Sequence, residues 1–397
     1  MSAERKLTME FEFATATRII FGPGTVRQVG PLAAEMGRRA FVITGRTIER
    51  ANPILEQLKE RRIEYVTFSV PAEPTTTIVK QGVELARRSG SEMVISVGGG
   101  SVLDAGKAIA AMLTNAGQLE DYLEVVGLGK PITADPAPHI TIPTTAGTGA
   151  EVTRNAVLGV PDHRVKVSMR SAMMLPDLAI VDPELTYSMP PALTAATGLD
   201  ALTQLMEAYV SNKANPLTDC ICRKGLARAG RSLRAAYEDG GNKSARENMA
   251  LASLFGGLAL ANAGLGAVHG FAGPLGGMIG APHGVICAAL LPFVTQANIE
   301  ALQEGGAGSA ALLRYDEVAS ILTGKAGANA AAGLEWVQEL CAALRVQPLT
   351  QFGLEEQDFP QVVAKARKSS SMKGNPVALT DGELTQILYK ACGQTGQ

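Results

Sequence analysis

Two of the chain's four histidines, His269 and His283, lie in one glycine-rich apolar passage, Gly266-Ala-Val-His269-Gly-Phe-Ala-Gly273-Pro-Leu-Gly-Gly-Met-Ile-Gly-Ala-Pro282-His283-Gly284. A single divalent ion takes neutral imidazole nitrogens from separate turns, so this passage reads as part of a metal site. Upstream, in Thr194-Ala-Ala-Thr-Gly-Leu-Asp200-Ala-Leu-Thr-Gln204-Leu-Met-Glu207, Asp200 and Gln204 stand four apart. On a helix they share a face, so a carboxylate and an amide can point at one ion, or the amide can instead donate a hydrogen bond to substrate. The candidate ligands are therefore Asp200, Gln204, His269 and His283.

Two further segments suit a phosphate-bearing ligand. Val97 ends an apolar run, and Gly98-Gly99-Gly100-Ser101-Val-Leu-Asp104-Ala-Gly-Lys107 opens a helical one. Backbone amides at such a junction face a pyrophosphate, and glycine lets it approach. Ile142-Pro143-Thr144-Thr145-Ala-Gly147-Thr148-Gly149-Ala-Glu151 again follows a strand pattern and sets hydroxyls beside flexible backbone, as contacts to adenine, ribose and phosphate require.

The elements that must position these residues fall into two kinds. Between Arg39 and Pro183, short β-branched runs (Ala40 to Thr44, Tyr65 to Ser69, Met93 to Val97, His139 to Ile142, Leu178 to Val181) alternate with helical patterns such as Ile54 to Glu60 and Ile78 to Arg88. That alternation predicts a parallel sheet with crossover helices. After Pro190-Pro191 the chain becomes Ala- and Leu-rich at helical spacing, over Leu193 to Asn212, Leu217 to Tyr237, Ser244 to Asn262 and Ala328 to Leu344. The expected organisation is an α/β dinucleotide-binding domain, residues 1–190, followed by an all-α domain, residues 191–397. Gly305 to Gly308 and Gly324 to Gly327 read as connections.

A chain of 397 residues, 46% hydrophobic and 19% charged, with a formal net charge of −2, fits a two-domain globular protein that works on small molecules rather than nucleic acid. Its five cysteines form no paired framework, and Met-Ser-Ala-Glu-Arg-Lys has no apolar export core, so a cytoplasmic location is expected. Cys220 and Cys222, two apart, should diverge on a helix. No apolar run reaches transmembrane length, since even Gly256 to Ala267 is short and interrupted. His139, opening a strand, and His163, in a turn, read as structural or solvated.

Together these motifs resemble the iron-containing (group III) alcohol dehydrogenase family over nearly the whole chain, with a dehydroquinate synthase-like architecture implied. The resemblance implies reversible hydride transfer between NAD(P)(H) and a small alcohol or aldehyde, with a homodimer as the usual assembly. Asp200, His269 and His283 match the family's metal ligands. Gly98, Gly99, Gly100, Ser101 and Asp104 match its pyrophosphate loop, and Thr144, Thr145 and Thr148 its second cofactor loop. Asn155 and Lys166 match cofactor-holding positions in the hairpin that follows.

The chain departs from the pattern at Gln204, where a third histidine ligand is usual, and at Gly273, where a histidine lies near the nicotinamide. Fe(II) and Zn(II) both stay open, the one-carboxylate, two-imidazole set suiting zinc better. After the first strand, Thr44-Gly45-Arg46 stands where NAD-using relatives carry an acid. Glycine admits a 2′-phosphate and Arg46 can pair with it, so NADP(H) is expected over NAD(H). For pairing between subunits, the expected edge strand is Thr8 to Thr15 or Ile19 to Phe21. The rival readings are a metal-independent reductase resembling the maleylacetate reductases, a dehydroquinate synthase-like lyase, and a non-catalytic cofactor binder.

Overall fold

The computed structural model describes residues 10–163, 165–305 and 309–394. Its first half is built on a six-stranded, all-parallel sheet ordered β1-β8-β5-β4-β2-β3. The strands are β1 (Arg18–Phe21), β2 (Arg39–Thr44), β3 (Glu64–Ser69), β4 (Met93–Gly98), β5 (His139–Pro143) and β8 (Leu178–Val181). Helices α1 (Val29–Met36), α2 (Asn52–Glu60), α3 (Thr76–Arg88) and α4 (Gly100–Thr114) connect the early strands. Strands β6 (Asn155–Val160) and β7 (Val165–Arg170) form a separate antiparallel hairpin.

Strand period explains the layering. On β2, Phe41 and Ile43 join a core with Val79, Val83 and Ile109 of α3 and α4, while Ala40 and Val42 face the opposite core with Leu32, Ile54 and Leu58 of α1 and α2. Both faces of the sheet are covered, and β4 is buried along its whole length, which is why its sequence is an unbroken apolar run. All five strands read from the sequence fall within a residue of their observed ends.

From Pro191 onward the described residues hold helices: α5 (Pro191–Val210), α6 (Pro216–Glu238), α7 (Lys243–Ala263), α8 (Ala267–Ile279), α9 (His283–Glu304), α10 (Ala310–Thr323), α11 (Ala330–Ala343), α12 (Phe359–Lys368) and α13 (Asp381–Ala391). Helix α5 lies at the centre, packed by α6, α7 and α9 and buried on nearly all sides from Gly198 onward. Proline in the first turn starts both α5 and α6 at no hydrogen-bonding cost, and Asn215 caps α6 reciprocally with Thr218. Helices α7 and α8 are bent by 99° at their junction. Gly264 takes φ +67° in that turn, a conformation side chains rarely adopt.

Two expectations are corrected. Helix α9 has the length and apolarity of a membrane span, but 67% of that window is buried inside the fold, because it is a core helix flanked by α5, α8, α11 and α13. Residues 10 to 15 form no strand: the Asn262 side chain on α7 binds both the N–H and the C=O of Ala14, at 2.7 and 2.9 Å, taking the groups that strand pairing needs. Thr8 itself, like Gly306 to Gly308, lies outside the described residues. Ile19 to Phe21 is part of β1, an outer edge of the sheet.

Candidate active site

The two glycine- and threonine-rich loops meet beyond the ends of β4 and β5. Thr144 N donates to Gly98 O at 2.9 Å. A Cβ on Gly99 would sit 3.3 Å from Thr145 Oγ1, and one on Gly100 would sit 2.8 Å from Thr148 Oγ1. Gly100 therefore has to be glycine for the loops to interlock as they do, and Gly99 leaves little room for anything larger. Gly99 caps the start of α4, so the helix N-terminus opens into this corner at Ser101.

Asp104, one turn along α4, is engaged within the fold. Its Oδ1 pairs with Lys107 Nζ at 2.9 Å and its Oδ2 accepts from Val157 N at 3.0 Å. Lys107, with no exposed side-chain surface, also donates to Thr153 Oγ1 at 2.8 Å and to Asn155 O. Asp104 and Asn155 thus tie the hairpin to α4. Lys166 on β7 pairs with Glu73 and lies against Gly276 of α8, where a Cβ would come closer than 3.0 Å to its Nζ. Gly45 follows β2, where a Cβ would meet Val102 Cγ2 at an ordinary contact distance of 3.9 Å, and Arg46 is exposed.

The second cluster forms where α5, α8 and α9 converge. Asp200 Oδ1 lies 3.3 Å from His269 Nε2 and 3.6 Å from His283 Nε2, and the two rings are 5.3 Å apart. Gln204 donates its amide N–H to Asp200 Oδ1 at 3.2 Å, while its Oε1 is buried without a hydrogen-bond partner. Gly273 follows His269 by one turn of α8, and a Cβ there would meet nothing within 4 Å.

Three participants escaped the sequence reading. Cys287, one turn after His283, sets its Sγ 3.8 Å from His269 Nε2 and 3.7 Å from His283 Nε2. The donor atoms of Asp200, His269, His283 and Cys287 all lie within 4.8 Å of one another, a separation that one metal ion can span. Glu207, seven residues after Asp200 on the same face of α5, accepts from Val268 N at 2.6 Å and from His269 Nδ1 at 2.7 Å. A carboxylate there also suits the N-terminus of α8. Lys107 is the third. The signals were present, as His-x-x-x-Cys spacing and as an acid at i+7 from Asp200.

Electrostatics in the cluster follow from opposite charges sharing a buried space. Burial pushes the Asp200 carboxyl up, but His283, His269 and Gln204 more than offset it and hold it below the usual carboxylate range. Burial likewise opposes charging His283, yet Cys287 and Asp200 push it up to about 9, and with Glu207 they raise His269 well above an ordinary imidazole. The Cys287 thiol is raised by burial and lowered further by the two imidazoles, ending below its ordinary value. The point between these groups favours positive charge, which a divalent ion supplies while the ligand protons leave.

Helix α5 joins the two clusters. A Cβ on Gly147 would sit 2.7 Å from Thr197 Cβ, and one on Gly284 would sit 2.6 Å from Ala196 O. Ala196 and Thr197 lie one helical turn before Asp200. The remaining histidines do no visible chemistry: His139 is buried, bonds Ser96 Oγ at 2.8 Å and is lowered to about 3 by burial and Lys107, and His163 is an exposed turn residue. All five cysteines are free, Cys220 exposed and Cys222 buried, diverging as expected.

Residues 16–183 match the family model "Iron-containing alcohol dehydrogenase", and residues 194–392 match "Fe-containing alcohol dehydrogenase family, C-terminal". The chain is 36% identical over 389 residues to the 1,3-propanediol dehydrogenase of Klebsiella pneumoniae, covering 96% of this chain and 98% of that one. Among solved structures, a 1,3-propanediol oxidoreductase superposes with a TM-score of 0.88 at 34% identity, covering 96% of this chain and all of that one (100%). Sulfoacetaldehyde reductase from Bifidobacterium kashiwanohense, solved in complex with NAD+, superposes with a TM-score of 0.84 at 28% identity over 98% and 100% of the two chains.

Proposed function

The chain belongs to the iron-containing alcohol dehydrogenase family, and from that membership we propose that it reduces a small aldehyde with NADPH, and oxidises the corresponding alcohol, at the junction of α5, α8 and α9. The observation that carries the proposal is that the first turns of α5 link the interlocked glycine loops to the Asp200, His269 and His283 cluster, so that a cofactor on those loops and a metal in that cluster would lie on either side of one helix end. Gly98, Gly99, Gly100 and Ser101 would cradle the pyrophosphate, Thr144, Thr145 and Thr148 would contact the nucleoside, and Asp104, Asn155 and Lys166 would hold the hairpin over it. Asp200, His269 and His283 would hold the ion, with Gln204 fixing Asp200 by its amide N–H. The ion's contribution when bound is Lewis-acid polarisation of the carbonyl, and the nicotinamide supplies the hydride.

Glu207 keeps His269 Nε2 turned into the cluster by accepting the Nδ1 proton. With Gly273 in place of an imidazole, protons reach the alkoxide through water or the ribose hydroxyls, and the open space at Gly273 accepts aldehydes larger or more polar than acetaldehyde. Gly45 and Arg46 support NADPH over NADH: no acid stands there to repel a 2′-phosphate, and an exposed guanidinium is available to pair with it. We read the change from sheet to helices at Pro190-Pro191 as the domain boundary. The free thiols support a reducing compartment such as the cytoplasm, and the open edge at β1 supports a homodimer.

Steady-state reduction of an aldehyde series with NADPH and with NADH tests the proposal. It predicts turnover with both coenzymes, higher kcat/KM with NADPH, and no steep preference for acetaldehyde. Equal or better efficiency with NADH sinks the coenzyme assignment, and absence of turnover on every aldehyde sinks the reading as a whole.

A further inference from the structure

Around Asp200 there are more donors than the proposed function uses. Resting on that reading of a metal at Asp200, His269 and His283, we propose that Cys287 is the fourth ligand, as a thiolate, and that the site is built for Zn(II) rather than Fe(II).

Four of the six separations between donor atoms are close to the edges of a zinc tetrahedron. Zinc bonds of about 2.0 to 2.3 Å to oxygen, nitrogen and sulfur set neighbouring ligand atoms roughly 3.3 to 3.6 Å apart. The four are 3.3 Å from Asp200 Oδ1 to His269 Nε2, 3.6 Å from Asp200 Oδ1 to His283 Nε2, and 3.8 and 3.7 Å from Cys287 Sγ to His269 Nε2 and His283 Nε2, with the other two pairs within 4.8 Å. Four donors from three helices converge to ligand spacing, and three of them, Asp200, His269 and Cys287, are buried.

Gln204 occupies the position on α5 where a ligand is expected by resemblance, yet it is engaged otherwise. Its N–H goes to Asp200 Oδ1, and its Oε1 faces α7, 2.8 Å from where a Cβ of Gly256 would stand. Turning the amide over would put two acceptor oxygens against each other, an arrangement the hydrogen-bond network disfavours. Gln204 therefore steadies the carboxylate and leaves a ligand position that Cys287 takes, and a substrate carbonyl would reach the ion by expansion to five-coordinate.

The chemistry of the donor set follows. On binding, the thiol proton leaves to solvent as the Zn–S bond forms, and one thiolate with one carboxylate neutralises a divalent ion. A soft sulfur ligand shifts preference away from Fe(II), which oxygen and nitrogen donors suit better, and toward Zn(II).

Cobalt titration of the chelator-stripped full-length chain reads the ligand without relying on turnover. The wild type is expected to take up one Co(II) with a thiolate-to-cobalt charge-transfer band in the near ultraviolet. C287A is expected to take up cobalt at least about 10-fold more weakly and without that band, with C287S as the near-isosteric variant should the alanine protein fail to fold. X-ray absorption of the zinc form should show a sulfur scatterer at about 2.3 Å. Cobalt uptake without the band in the wild type, or a band that survives in C287A or C287S, overturns the inference and leaves the Asp200, His269 and His283 reading standing. A wild type that binds neither cobalt nor zinc overturns both.

Discussion

Replacing Glu207 by glutamine should weaken metal binding without unfolding the chain, and the structure sets the size of the effect. The carboxylate accepts two short hydrogen bonds, from Val268 N at 2.6 Å and from His269 Nδ1 at 2.7 Å. An amide has only one acceptor oxygen to offer. If that oxygen stays on the Val268 N–H, the amide N–H faces Nδ1, which must then accept, and the neutral imidazole carries its proton on Nε2. The lone pair is thereby removed from the atom that faces Asp200 and Cys287. If the amide turns over, its NH2 meets the Val268 N–H, and a buried donor without a partner costs about 1 to 3 kcal/mol. Either orientation predicts a metal Kd raised about 10- to 100-fold, or about 1.4 to 2.7 kcal/mol. Competition between the protein and a chromophoric zinc chelator measures this, with thermal melting of the metal-free form as the control for folding. An E207Q protein that holds zinc within twofold of the wild type would refute the argument that Glu207 sets the His269 tautomer.

Further outcomes follow from other parts of the structure. K107M should cost about 3 to 5 kcal/mol in urea unfolding, because it strands the largely buried Asp104 carboxylate; D104N added to K107M should recover at least about 1 kcal/mol, and an additive double mutant would show that the pair is not coupled. G257A places a Cβ under 3.0 Å from Gly149, itself held at φ +59°, so it should cost about 1 to 3 kcal/mol and raise the coenzyme KM; unchanged stability and KM would mean that α7 and the loop separate freely. Glu151 is buried and pushed from 4.5 up to about 7, first by its burial, against its own backbone N–H and Lys107. A carboxyl raised in the folded state contributes fully below about pH 4.5 and loses that contribution as pH rises through about 7, roughly 3 kcal/mol in all. E151Q should therefore be less destabilised than the wild type between pH 5 and pH 8 by about 2 to 3 kcal/mol in denaturant titrations, and parallel pH profiles would contradict the assignment.

The sheet was legible because strands buried on both faces must be continuous apolar runs, and Met93 to Val97 can be nothing else in an alternating pattern. The glycine loops were legible because close approach to Thr148 demands glycine at Gly100 and close approach to Thr145 leaves little room at Gly99. Helix α8 was hidden by the same physics. Its glycines are there for contact, Gly270 with Met372 and Gly276 with Lys166, and with Pro274 they erase the helical composition signal. Cys287 stands in the sequence as one of five unpaired thiols, although its spacing from His283 puts it on the same helix face. Asp104 illustrates the reverse: its motif resembles a cofactor loop, but which partners a carboxylate takes, here Lys107 and Val157 N, depends in part on a hairpin 53 residues away in sequence.

The central question is whether the Asp200, His269 and His283 cluster holds an ion that the chemistry needs. NADPH oxidation by chelator-stripped protein with short aldehydes, before and after adding Zn(II) or Fe(II), measures this directly. Turnover that vanishes on stripping and returns with added metal is the predicted result; equal turnover without metal would contradict it and make the chain a metal-independent reductase.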